Sequence, residues 1–157
     1  MPSRAPLKNP RQNLRTISLF SWRCKELPAN IVGVVSNHPD LRERTEWYGL
    51  PFYEFPIEDG NKEQHFQAVS KVLSELQPEV IVLARYMQVL PAELCAQYAG
   101  KVINIHHSFL PSFVGANPYK QAYTKGVKLI GATSHYVTPE LDQGPIIEQA
   151  VTRITHR

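Results

Sequence analysis

Cysteine is nearly missing: Cys24 and Cys95 are the only two in 157 residues. They lie far apart in apolar-patterned segments, which gives neither a disulfide framework nor a metal-ligand spacing. The expectation is two buried thiols in a reducing compartment, with the cytoplasm as the default location. No apolar run approaches the roughly 20 residues of a membrane helix, so no membrane partner is expected. The N-terminus lacks the apolar stretch of a secretory signal. HExxH, clustered Cys/His and a carboxylate cage are all absent, which leaves no metal site to predict. So are GxGxxG and GxxxxGK[ST], and no dinucleotide or P-loop nucleotide is expected. There is no GxSxG elbow and nothing marks a serine or cysteine nucleophile.

The excess of one charge sign is small. Lys and Arg number 17 against 14 Asp and Glu, for a net charge of +3. Part of that excess sits at the start, where Arg4, Lys8, Arg11 and Arg15 occur without an acid. No basic stripe with interleaved aromatics follows, so no nucleic-acid partner is predicted.

What is present reads as one domain with an ordinary core: 43% of residues are hydrophobic and 20% charged. Residues 1–12, with Pro2, Pro6 and Pro10, read as a flexible basic arm. From Asn13, residues Leu14, Ile17, Leu19, Phe20 and Trp22 offer an apolar helical face, and Pro28 ends the segment. Ile31–Val35 reads as a buried strand, Asp40–Tyr48 as a polar helix capped by Gly49, and Pro51–Phe55 as a second strand. Phe66, Val69, Val72, Leu73 and Leu76 give Lys62–Leu76 one apolar helical face. Glu79–Ala84 is apolar without alternation, as in a central parallel strand. A helix over Pro91–Tyr98 follows, with Pro91 in its first turn. Then come a strand over Val102–His107, a helix over Pro118–Thr124, and strands over Leu129–Thr138 and Ile146–Ile154. Strands alternating with helices predict an α/β fold, an open, mostly parallel twisted sheet with helices on both faces. Ligands of such sheets lie beyond the carboxyl ends of the strands.

Along Val102–Ser108, alternation puts Asn104 and His106 on one face, roughly 7 Å apart. An amide and an imidazole on one face either serve a site or form a satisfied polar pair in the core. His107 should face the other way if the strand stays regular. The apolar loop Phe109–Gly115, broken by Pro111 and Gly115, either walls a pocket or packs over the sheet edge. Asp142 precedes a Gly-Pro corner, where a carboxylate usually bonds nearby N–H groups. If it faces Asn104 and His106 instead, it could orient the imidazole, hold it protonated or position a water. His135 lies on a strand, where histidine is more often structural.

Asn104-Ile105-His106, Ser108-Phe109-Leu110-Pro111-Ser112-Phe113 and Leu141-Asp142-Gln143-Gly144-Pro145, in this order, resemble the motifs of the formyltransferase fold, a Rossmann-like α/β fold. Within it the chain is most similar to the formyltetrahydrofolate deformylase family. That family's strings match Val35-Ser36-Asn37-His38, Leu83-Ala84-Arg85-Tyr86-Met87-Gln88, residues 102–113, 115–119, 126–133 and 144–149. The transformylases of the fold usually have proline where this chain has His107. They also bind a phosphate on a Gly-rich first loop that is not found here.

The resemblance implies hydrolysis of 10-formyltetrahydrofolate to formate and tetrahydrofolate, supplying formate to purine and one-carbon metabolism. A formyl transferase of the same fold, or an inactive folate-binding remnant, is the alternative. Asn104, His106 and Asp142 are the implied catalytic residues. Asn104 and His106 would donate to the developing oxyanion, and Asp142 would orient or deprotonate water. The pterin is implied to lie on Met87, Gln88, Val89 and Leu90 and near residues 138–142, which makes Thr138, Glu140 and His135 substrate-binding candidates. The folate is the substrate and small-molecule partner, and no tightly bound cofactor is implied. The resemblance covers 13–157 as one catalytic domain. The family's N-terminal ACT-type regulatory domain is not found, and its first strand is expected to be lost or altered. Such a loss would leave unpaired strand edges, which keeps a homo-oligomer open.

Overall fold

The structure is a computed structural model that describes residues 22–58, 60–113 and 117–154. The arm at 1–12, nearly all of the helical face expected from Leu14 to Trp22, and the place of the first strand lie outside these residues. The chain divides into two compact units, one up to Gln77 and one from Pro78.

In the first unit, β1 (Val34–Ser36) pairs in parallel with β2 (Phe52–Glu54), Val34 opposite Phe52. The strand expected from Ile31 begins three residues later. The Val34 N–H reaches the Pro51 carbonyl at 3.0 Å, but Pro51 has no N–H to carry the ladder further back. A 3-10 turn (Pro39–Leu41) leads into α1 (Arg42–Trp47), and Gly49 caps it at φ +75. Arg42 ties α1 to β2 through Glu54, at 2.7 Å. The long helix α2 spans Lys62–Leu76 as its apolar spacing predicts, burying Phe66, Val69, Val72 and Leu73. It stops where Gln77 turns left-handed and its N–H closes on the Leu73 carbonyl at 2.9 Å, just before Pro78, which cannot continue a helix.

His65 also lies on the buried side of α2, 3% exposed, with Nδ1–H donating to the Phe55 carbonyl at 2.8 Å. Burial pushes its pKa below the ordinary 6.5, against the smaller opposing effect of that hydrogen bond. The unfolded chain therefore binds this proton more readily than the folded one, and stability rises with pH. The contribution of a neutral His65 is complete above 6.5 and lost as pH falls below it. Thermal melts across that range should show Tm falling with acid, and His65→Gln should flatten the slope. An unchanged slope in the variant would assign the acid sensitivity to other groups.

In the second unit, β3 (Ile81–Leu83), β4 (Val102–His106), β5 (Leu129–Tyr136) and β6 (Ile146–Arg153) form one sheet in that order. The first pairing is parallel, and the other two are antiparallel. The last pairing has a simple cause: a connection of only nine residues joins β5 to β6, and parallel neighbours need a longer crossover. Among the described residues β3 pairs only with β4, and its Val82 is 55% exposed, so within this unit it is an outer strand rather than the central one expected. The helices α3 (Ala92–Gln97) and α4 (Pro118–Thr124) follow their predicted positions, although Pro91 caps α3 rather than sitting inside its first turn. Leu90, Leu94, Cys95, Tyr98, Val102, Leu110 and Ala122 make the core. Cys95 is buried, but Cys24 is exposed, which corrects the expectation of two buried thiols. Among the described residues no helix is long and apolar enough to cross a membrane.

Candidate active site

Strand alternation delivers Asn104 and His106 to one face of β4, as the sequence predicts. The antiparallel register then sets His135 directly opposite Asn104, and Thr133 opposite His106. The connection between β5 and β6 carries Asp142 onto the same face. Its backbone is left-handed, at φ +55, a conformation that Asp and Asn tolerate better than most residues. The carboxylate is buried and stands between the two imidazoles, 3.5 Å from His106 Nδ1 and 3.6 Å from His135 Nε2. Both lengths exceed that of a short charge-assisted hydrogen bond, and catalytic contacts of this kind tighten in the substrate complex.

Hydrogen-bond partners assign the ring protons. His135 Nδ1 lies 2.9 Å from the Tyr136 carbonyl, which can only accept, so Nδ1 carries a proton. The neutral ring then offers Nε2 as acceptor to the Asn104 amide, 3.3 Å away. This fixes the Asn104 side chain and leaves its second N–H free to donate. His106 Nε2 donates to the Phe113 carbonyl at 3.2 Å. Its other nitrogen faces Asp142, so both ring nitrogens look at acceptors, and only the doubly protonated ring donates to both.

The loop 108–113 is braced from the sheet. Thr133, 0% exposed, donates to the Ser108 carbonyl at 2.8 Å. It accepts from the Leu110 N–H at 3.0 Å and from Gln149 Nε2 at 3.2 Å. The hydroxyl thus uses its one donor and both lone pairs. Gln149 also donates to the Leu110 carbonyl at 2.9 Å, and Ser108 Oγ to the Phe113 carbonyl at 3.1 Å. The apolar loop is therefore held against the sheet with a fixed carbonyl, that of Phe113, aimed at His106.

These groups open on a cavity of about 290 Å³. Its lining includes every residue that the resemblance implied as catalytic or substrate-binding: Asn104, His106 and Asp142, the stretch Met87, Gln88, Val89 and Leu90, and Thr138, Glu140 and His135; the described residues of the apolar loop, Phe109–Phe113, are not part of it. Met87 is 72% exposed at the rim, whereas Leu90 is buried. His135 touches Asn104 and Asp142, so its contacts here are those of a positioning residue. Arg85, Tyr86, His107 and Pro118 also line the cavity, and the sequence reading did not place them there. Arg85 and Tyr86 stand directly before the Met87–Leu90 stretch, which was the available signal. Burial pushes the Tyr86 phenol up to about 12, so it stays protonated. The His107 imidazole is pushed down, first by burial and then by the charges of Arg85 and His106. Among the described residues no group of three or more His, Cys, Asp or Glu side chains is arranged to hold a metal ion.

The profile of the formyl transferase family matches residues 9–157. A formyltetrahydrofolate deformylase from a Corynebacterium species is 51% identical over 138 residues, which are 88% of this chain and 48% of that protein. The crystal structure of a formyltetrahydrofolate deformylase from Pseudomonas syringae superposes with a TM-score of 0.89 at 55% identity, covering 92% of this chain and 49% of that one. A glycinamide ribonucleotide transformylase from Symbiobacterium toebii superposes with a TM-score of 0.83 at 29% identity, covering 93% and 70%. The chain spans about half the length of the curated relatives it matches.

Proposed function

Because the chain belongs to the formyl transferase family, we propose that it hydrolyses 10-formyltetrahydrofolate to formate and tetrahydrofolate. The observation that carries this reading is the convergence of Asn104, His106 and Asp142 on one cavity. The much higher identity to deformylases than to the transformylase supports hydrolysis over transfer to an amine.

The substrate's formyl group is an amide, so its carbonyl carbon resists attack until the oxygen can take negative charge. The free Asn104 N–H donates to that oxygen as the tetrahedral intermediate forms, and the positive charge of the doubly protonated His106 ring stabilises it. Water adds to the carbon and passes a proton to Asp142, which lies within ion-pair reach of His106. The carbon–nitrogen bond then breaks, the leaving nitrogen takes a proton, and formic acid ionises to formate. The pterin lies on the Met87–Leu90 stretch and beside Thr138 and Glu140. His135 holds Asn104 and Asp142 in place. The folate is both substrate and small-molecule partner, no tightly bound cofactor is required, and the formate feeds one-carbon metabolism. A cytoplasmic setting belongs to the same reading and accords with two free thiols.

The test is formate release from 10-formyltetrahydrofolate by the purified chain, with no acceptor present and His106→Ala as control. Release by the chain and not by the control is the expected result. A folded chain that releases none overturns hydrolysis. Turnover that appears only on adding an amine acceptor makes the chain a transferase.

A further inference from the structure

Two cavity-lining groups have no part in the chemistry above. His107 directly follows the last residue of β4, and its Nε2 is buried without a hydrogen-bond partner among the described residues. Buried ring nitrogens are normally paired, and one left open is completed by a ligand or water. Arg85 follows β3 by two residues and is partly buried. Its backbone sits in the left-handed region at φ +56, where a residue with a long side chain is uncommon and where such strain marks functional sites. Both residues line the cavity that contains Asn104, His106 and Asp142.

We propose that Arg85 and His107 form a carboxylate-binding lobe of this cavity, occupied by the formate product or by a carboxylate of the folate's glutamyl tail. The guanidinium supplies the charge and a planar pair of donors that matches a carboxylate. The imidazole supplies one further N–H from the Nε2 that now lacks a partner. Burial first, then the charges of Arg85 and His106, hold the His107 ring toward its uncharged form, so the lobe carries one firm positive charge, on Arg85. The other acids lining the cavity are Glu140 and Asp142, and Asp142 faces the two imidazoles. The formyl group of the substrate is neutral and formate is an anion, so such a lobe distinguishes product from substrate and draws formate away from the reacting centre. The formate arm of this inference rests on the hydrolytic reading above.

The experiment titrates the 157-residue chain with carbon-13 formate, and separately with 4-aminobenzoylglutamate, following NMR line width. Arg85→Asn and His107→Gln are run alongside, with melting curves to confirm that each is folded; asparagine tolerates the left-handed backbone at 85. Saturable binding that weakens about tenfold or more in either folded variant is the expected result. Formate binding alone assigns the lobe to the product, and tail-fragment binding alone assigns it to the folate. No saturable binding of either ligand, or binding unchanged in both variants, overturns the lobe. These titrations involve no turnover. A chain that binds formate but does not hydrolyse loses the proposed activity and keeps the lobe, and the reverse result does the opposite.

Discussion

Asp142→Asn is expected to lower kcat for formate release by about 10²–10⁴-fold, the range for removing a general base, while folate affinity changes little. The substitution isolates charge from shape. Asn is isosteric with Asp and equally tolerant of the left-handed backbone at φ +55, so the connection between β5 and β6 keeps its path. The carboxylate lost is the one between His106 and His135. An amide there cannot accept a proton from water and cannot balance the charge of a doubly protonated His106. Asp142→Ala would mix this loss with backbone strain and a void, and would decide nothing. Steady-state kinetics together with equilibrium binding of a non-hydrolysable folate checks the prediction. Parallel loss of turnover and binding would make Asp142 a structural residue of the pocket wall.

Gly144→Ala is expected to remove turnover by a different route. A Cβ at this position collides with the Tyr136 backbone carbonyl, and that backbone cannot yield freely. The Tyr136 N–H is bonded to the Pro145 carbonyl at 2.9 Å, and Tyr136 lies opposite Ile103 in the sheet. The connection must therefore move, taking Asp142 away from both imidazoles two residues earlier in the chain. Overpacking of this kind costs about 1–3 kcal/mol, and a misplaced catalytic group about 10²-fold in rate. Gly49→Ala is the comparison. An added Cβ there meets nothing within 4 Å, but φ is +75, so the cost is about 1–2 kcal/mol of backbone strain with no displaced catalytic group. Melting curves and kcat measured on both variants separate the two. Similar loss of turnover in both would mean that general destabilisation, rather than the position of Asp142, decides activity.

Much of this was legible in the chain because it depends on local periodicity. The spacing of Phe66, Val69, Val72 and Leu73 gives α2 its bounds. The uninterrupted apolar run at residues 80–83 gives β3, although not its outer place among the described strands of its sheet, since hydrophobicity does not say which strand comes next. The α/β class and the formyltransferase fold followed from the order of elements and from the resemblance. Asn104 and His106 share a face because strand side chains alternate, and no tertiary information is needed for that. Asp142 was different. Spacing alone left it an ordinary turn carboxylate, and only the family resemblance singled it out.

The sequence by itself therefore determined the elements and the face of β4 that bears polar groups, while the resemblance named part of the cavity's lining. Tertiary structure decided how those groups are held. The pairing of Asn104 with His135 joins residues 31 apart in sequence, and the bond from Gln149 to Leu110 joins residues 39 apart. The antiparallel register of β4 and β5 and the left-handed turns at Arg85 and Asp142 belong to the same class. None of these leaves a periodic trace, because each depends on which distant backbone arrives opposite, and that is settled by packing the whole sheet at once.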